Sequence, residues 1–285
     1  MNYKMMGKFI SQILFVEAAF MLPALLISTL ERNIPAMWGF ALSIVITAAA
    51  ALVLYLFCRH AVRRFYAREG LVCVGMSWIF LSLMGCLPFF LSGEIPNYLD
   101  ALFEIVSGFT TTGASILSNV EGLSKGMLYW RSFSHWLGGM GVLVFLLAVG
   151  TKGDKGSGFT LHLLRAESPG PTVGKLVPKM RTTARILYVM YILLTLLNIL
   201  FLLFGGMSLF ESVCTAMGTA GTGGFGIKND SMAGYSPYIQ NVCTVFMLLF
   251  GVNFGCYYLL LIKHVKSVFE DEELRMYFAI VVGSI

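Results

Sequence analysis

The sequence predicts an all-α polytopic membrane protein. The unit span, short helix, glycine/threonine loop, span occurs twice and is preceded by a transmembrane hairpin. Three observations carry that expectation. The 285 residues are 57% hydrophobic and only 12% charged, where a soluble domain carries about a quarter charged residues. The apolar residues fall in blocks of bilayer-spanning length rather than in stripes along one helix face. And a short glycine/threonine-rich run, flanked by the same kinds of segment, occurs twice: TTTGA at 110–114 and GTGGF at 221–225.

The first two apolar blocks, 9–30 and 38–58, form the leading hairpin. The first is too long, and lacks a small-residue cleavage site, to read as a signal peptide. With the basic loop that follows, residues 1–69 make one unit. Spans at 71–92 and 128–150 bracket the first glycine/threonine run and define a first pore repeat over 70–150. The polar stretch 151–183 is a linker; spans at 184–206 and 240–262 bracket the second run and define a second repeat over 184–264. Residues 265–285 open a third repeat, with apolar sequence from Met276 to Ile285. The six cysteines lie in or beside apolar segments without CxxC spacing and read as small buried hydrophobes.

Basic residues set the orientation. With the N-terminus inside, 16 of the 20 Lys and Arg fall on the cytoplasmic side, in 1–8, 59–68, 151–185 and 263–275. Only Arg32, Lys125, Arg131 and Lys228 are left outside, the asymmetry expected of a multi-pass protein of the cytoplasmic membrane. The outer loops hold Glu31, Glu94, Asp100, Glu104, Glu121, Glu211 and Asp230. These read equally as ordinary solvated charge or as a field that gathers cations.

Each glycine/threonine run follows a short amphipathic stretch, Phe103–Ser107 in the first and Phe210–Cys214 in the second, offset by 107 residues. Irregular backbone at membrane depth is tolerated where protein buries it or water bathes it. Loops that dip in and face one axis would present carbonyl oxygens to it, and such oxygens can replace the hydration shell of K⁺. Glycine admits the backbone angles this requires, and threonine adds a hydroxyl. The glycines inside spans, Gly138, Gly139, Gly141, Gly251 and Gly255, read instead as close helix packing. Among single residues, Glu17 is an intramembrane acid outside the repeats, for which a structural role is favoured. Arg131 reads as snorkelling to the interface, and Asp100, Glu104 and Glu211 as acids opening the pore helices. His135 receives no role. No nucleophile, phosphate-loop or metal-ligand spacing appears, so the chain is not expected to be an enzyme.

FEIV and FESV before the loops, TTTGA, TGGFG and HWLGGMGVLVF together resemble the TrkH/KtrB family of bacterial potassium-uptake subunits. The leading hairpin resembles the TrkH-type branch. The resemblance implies a one-chain K⁺ channel fold of four repeats around one pore, of which this chain matches the N-terminal half. It also implies a homodimer in the bilayer and a cytoplasmic nucleotide-binding regulatory subunit of TrkA/KtrA type. Carried onto this sequence, the filter residues that would contact K⁺ are Thr110, Thr111, Thr112 and Gly113 in the first loop, and Gly221, Thr222, Gly223 and Gly224 in the second. Thr111-Thr112-Gly113 aligns with Thr222-Gly223-Gly224, with a slip to Gly223 and a bend at Gly221 as open alternatives. The expected function is potassium uptake through a carbonyl-lined filter, with K⁺ as transported ion and no other cofactor. The chain is expected to be a fragment of a four-repeat protein. A half-size protein that dimerises to complete the pore is the alternative, and a membrane scaffold or enzyme a more distant one.

Overall fold

The computed structural model describes residues 2–60, 67–141 and 180–284. Among them are thirteen helices and no strand. The leading hairpin is α1 (Tyr3–Phe20) and α2 (Leu22–Leu30), then α3 (Ile34–Cys58). Pro23, in the first turn of α2, has no N–H for the preceding turn and marks the α1/α2 break. Tyr3–Leu30 is nonetheless one segment long and apolar enough to cross a membrane. The chain reverses at Arg32, which is left-handed (φ 57). The Asn33 side chain then caps α3 by accepting from the Ala36 N–H at 3.1 Å.

The next span is α4 (Ala67–Gly85) and α5 (Leu87–Ser92), interrupted at Pro88 for the same reason. It lies so close to α3 that a Cβ on Gly39 would sit 2.9 Å from Ser92 Cβ. The first half continues with α6 (Tyr98–Phe109), a loop, and α7 (Lys125–Met140). After α8 (Met180–Phe204) the second half repeats that order, with α9 (Leu209–Ala220), a loop, and α10 (Pro237–Gly251). The chain then runs through α11 (Phe254–Leu261), α12 (Val265–Phe269) and α13 (Glu272–Ser284). The expected linker 151–183 lies outside the described residues, apart from the start of α8, and so does the second part of the expected 128–150 span.

Two expectations need correction. The sixth span, read as continuous over 240–262, is two helices bent by 85°. Gly251 ends α10, and Asn253 caps α11 through its side chain, which accepts from the Gly255 N–H at 2.9 Å. The break leaves late carbonyls of α10 without helix partners. Tyr257 Oη donates to Leu249 O at 2.6 Å and Tyr277 Oη to Leu248 O at 2.9 Å. The second correction concerns the repeat register. The short helices start at Tyr98 and Leu209 and end at Phe109 and Ala220, an offset of 111. The FE motifs match at 107, one helical turn away, so they face alike without being equivalent.

Candidate functional site

Each short helix is started by a side chain. Asn97 accepts from the Leu99 N–H at 3.0 Å, and Asp100 lies in the first turn of α6. Ser208 and Glu211 form a capping box on α9. Asp100 and Glu211 are thus the acids at helix N-termini that the sequence suggests. Glu104 is not, because it is the seventh residue of its helix.

Both helices end in the same backbone figure. Thr111 (φ 55) and Gly113 (φ 74) are left-handed in the first loop, and Thr222 (φ 58) and Gly224 (φ 68) in the second. The residues between them, Thr112 and Gly223, are not. A β-branched residue in this region is uncommon and costs about 1–2 kcal/mol. Its occurrence at matching places in two loops is a pointer to function. In a strand, successive carbonyls alternate sides. Alternating the hand of successive residues instead turns neighbouring peptide groups towards one side. Gly221 carries no left-handed bend: it is the cap of α9, at φ −73.

The loops touch. A Cβ on Gly113 would collide with the carbonyl oxygen of Gly223, and one on Gly223 with the carbonyl oxygen of Thr111. Thr110, Thr112, Thr222 and Gly224 are exposed, Thr111, Gly113 and Gly223 are half-buried, and Gly221 is buried. The Thr110 hydroxyl lies 2.8 Å from both Val106 O and Thr112 Oγ1, which ties the first loop to its helix.

Behind the loops runs a buried polar chain that the sequence reading missed. Glu104 and Arg131 are 0% and 2% exposed, with Nε to Oε1 at 2.6 Å. Arg131 is therefore a buried partner and not a snorkelling one. Glu104 also accepts from Ser115 Oγ at 2.9 Å and from the Ile116 N–H at 3.0 Å, which pins the segment leaving the first loop. Arg131 donates onward to Gly226 O at 2.5 Å, and its guanidinium lies 3.3 Å from the centre of the Phe225 ring. His135 also stacks on Phe225, 5.2 Å from it and at 23° to it. The pair could be suspected from an acid and a base in nearly uncharged segments, but their separation of 27 residues hid the contact.

The span glycines bring α7 against both loops. A Cβ on Gly138 would strike Phe109 O and lie 3.1 Å from Thr111 Cγ2; one on Gly139 would lie 2.9 Å from Gly221 Cα. The outer loops are stitched together by Asn229, whose Oδ1 accepts from the Val120 N–H at 2.7 Å and whose Nδ2 donates to Asn119 Oδ1 at 3.0 Å. Several outer acids are structural acceptors: Glu94 takes the Ser124 N–H at 2.9 Å, Glu31 the Lys125 N–H at 3.0 Å, and Glu121 the Asn229 N–H at 3.0 Å. Glu17 is 1% exposed, and its carboxyl lies against Gly85, beside which Ile105 and Phe109 also pack, without a hydrogen-bond partner among the described residues.

Helices of membrane-crossing length, around two short helices that end in paired left-handed turns, define a membrane transport protein. The cation transport protein family TrkH matches residues 38–280. The Trk system potassium uptake protein TrkH of Halomonas elongata is 32% identical over 100% of this chain and 59% of its own length. TrkH of Escherichia coli K12 is 34% identical over 75% of this chain and 44% of its own. The crystal structure of the potassium transporter TrkH from Vibrio parahaemolyticus superposes with a TM-score of 0.83 at 27% identity, covering 99% of this chain and 57% of that one. The chain belongs to the TrkH family of cation transport proteins. It spans about half the length of the relatives it matches.

Proposed function

We propose that this chain supplies two of the loops of a potassium-selective filter, in an uptake protein of Trk type in the cytoplasmic membrane. The N-terminus lies inside, and K⁺ is the transported ion. Thr110–Gly113 and Gly221–Gly224 offer backbone oxygens to the desolvated ion in place of water, and Gly113 and Gly224 hold the left-handed turns. One observation carries this reading: the same alternation of hand at Thr111/Gly113 and Thr222/Gly224, in two loops that touch. The potassium uptake relatives support the choice of ion. The relatives' greater length supports a longer whole protein, and the family resemblance implies four loops around the axis, of which 70–150 and 184–264 are two repeats. A cytoplasmic nucleotide-binding regulatory subunit gates the pore, and two copies of the whole protein form a dimer. These last two features rest on the family alone. Ion flux through the complete transporter tests the filter. Gly113→Ser or Gly224→Ser should abolish K⁺ uptake or admit Na⁺; unchanged K⁺/Na⁺ discrimination in both variants would refute the assignment.

A further inference from the structure

We infer that His135 sets the shape of the second loop from behind, and is thereby a positioning residue for ion discrimination; this rests on the filter reading above. The ring belongs to α7 of the first half, is 0% exposed and packs against the second loop. A Cβ on Gly221 would collide with its Cδ2 and lie 2.6 Å from Nε2; one on Gly223 would lie 2.5 Å from Cε1 and 2.6 Å from Nε2. The ring also stacks on Phe225. Neither ring nitrogen has a hydrogen-bond partner among the described residues. What holds the ring is therefore shape rather than polarity, although burying it unpaired is unfavourable.

This contact accounts for two glycines that the backbone angles leave unexplained. The left-handed positions of the second loop are Thr222 and Gly224, and Gly221 and Gly223 are not among them. Both instead stand against the imidazole, which is the nearest neighbour of Gly221 ahead of the His135 carbonyl oxygen at 2.9 Å, and which shares the close approach to Gly223 with Thr111 O. The ring acts as a wedge. Phe225, itself under the Arg131 guanidinium, backs the ring, and the ring's Cδ2–Nε2–Cε1 edge keeps the Gly221–Gly223 backbone from sinking away from the axis. Interiors deform by repacking into such space, so a missing ring changes the spacing of the loop oxygens.

The test measures K⁺/Na⁺ discrimination by the complete transporter in liposomes, with thermal unfolding of the same purified protein as the control for folding. His135→Ala should unfold near the wild-type temperature and discriminate several-fold less well. Gly221→Ala should also lose discrimination. The double variant Gly221→Ala/His135→Ala should discriminate better than Gly221→Ala alone, since the new methyl enters the space the ring leaves. A folded His135→Ala protein with wild-type discrimination, or a double variant no better than Gly221→Ala, overturns the inference. If His135→Ala does not fold, His135→Asn is measured against the same outcomes. Gly113→Ser and Gly224→Ser in the same assay separate the two readings. Discrimination lost in either but intact in His135→Ala sinks only the wedge, whereas discrimination intact in both Gly113→Ser and Gly224→Ser sinks the filter and the wedge with it.

Discussion

The two loops share a backbone but not a support. The first is held largely by its own half: Glu104 of α6 takes Ser115 and Ile116, and the Thr110 hydroxyl closes back on α6. The second leans on the first half, through Arg131 to Gly226 O, Arg131 over Phe225, and His135 against Gly221 and Gly223. The seventh residues of α6 and α7 are Glu104 and Arg131, whereas the seventh residues of α9 and α10 are Thr215 and Cys243. Among the described residues the ion-pair brace therefore occurs once and serves both loops. Two halves with one architecture have become a scaffold and a dependent, and the link between them is buried charge rather than apolar packing alone.

Breaking the brace should give the largest effect. Arg131→Met leaves Glu104 buried without its charge partner and should cost about 3–5 kcal/mol, read by thermal unfolding of the complete protein. Glu104→Leu/Arg131→Met should recover part of that loss, because neither charge then remains. Thr215→Val, the counterpart in the second half, should stay within about 1 kcal/mol of wild type. An equal loss in both halves would contradict the asymmetry.

The glycines sharpen the comparison next. Gly113→Ala and Gly224→Ala each force a side chain into a left-handed turn, at about 1–2 kcal/mol. Gly113 faces the Gly223 carbonyl oxygen, while a Cβ on Gly224 meets nothing within 4 Å. Gly113→Ala should therefore reduce K⁺ uptake and stability more than Gly224→Ala. Asn229→Ala removes two hydrogen bonds between the outer loops, and roughly 1–2 kcal/mol is expected from unfolding measurements. The smallest effects belong to the caps, where the halves are alike. Asn97→Ala and Ser208→Ala should each cost about 1 kcal/mol, equally.

Spans, short helices and turn positions could be read from the sequence because each has a local signature. Apolar length marks the spans, and glycine and threonine mark the turns. The pattern does not say which residue takes the left-handed angle. Glycine is the expected one, and in each loop a threonine shares that duty with a glycine. The bend at Val252–Asn253 was hidden because the residues on both sides are apolar, and the stabilising hydroxyl of Tyr277 lies 29 residues from its acceptor, Leu248 O. Long-range contacts likewise hid the Glu104–Arg131 pair and the His135 wedge. The FE motifs misled by one helical turn, since composition repeats where register does not.

In the proposed pore, Thr110–Gly113 and Gly221–Gly224 line a water-filled path in which backbone oxygens hold K⁺. Cysteines placed singly at Thr112 and Thr222, both exposed, test it when the complete transporter is treated with a water-soluble thiol reagent at varied ion concentrations. The account predicts that both sites react, and that K⁺ slows the reaction where Na⁺ at equal concentration does not. Sites that stay unreactive, or that K⁺ and Na⁺ protect alike, would contradict it.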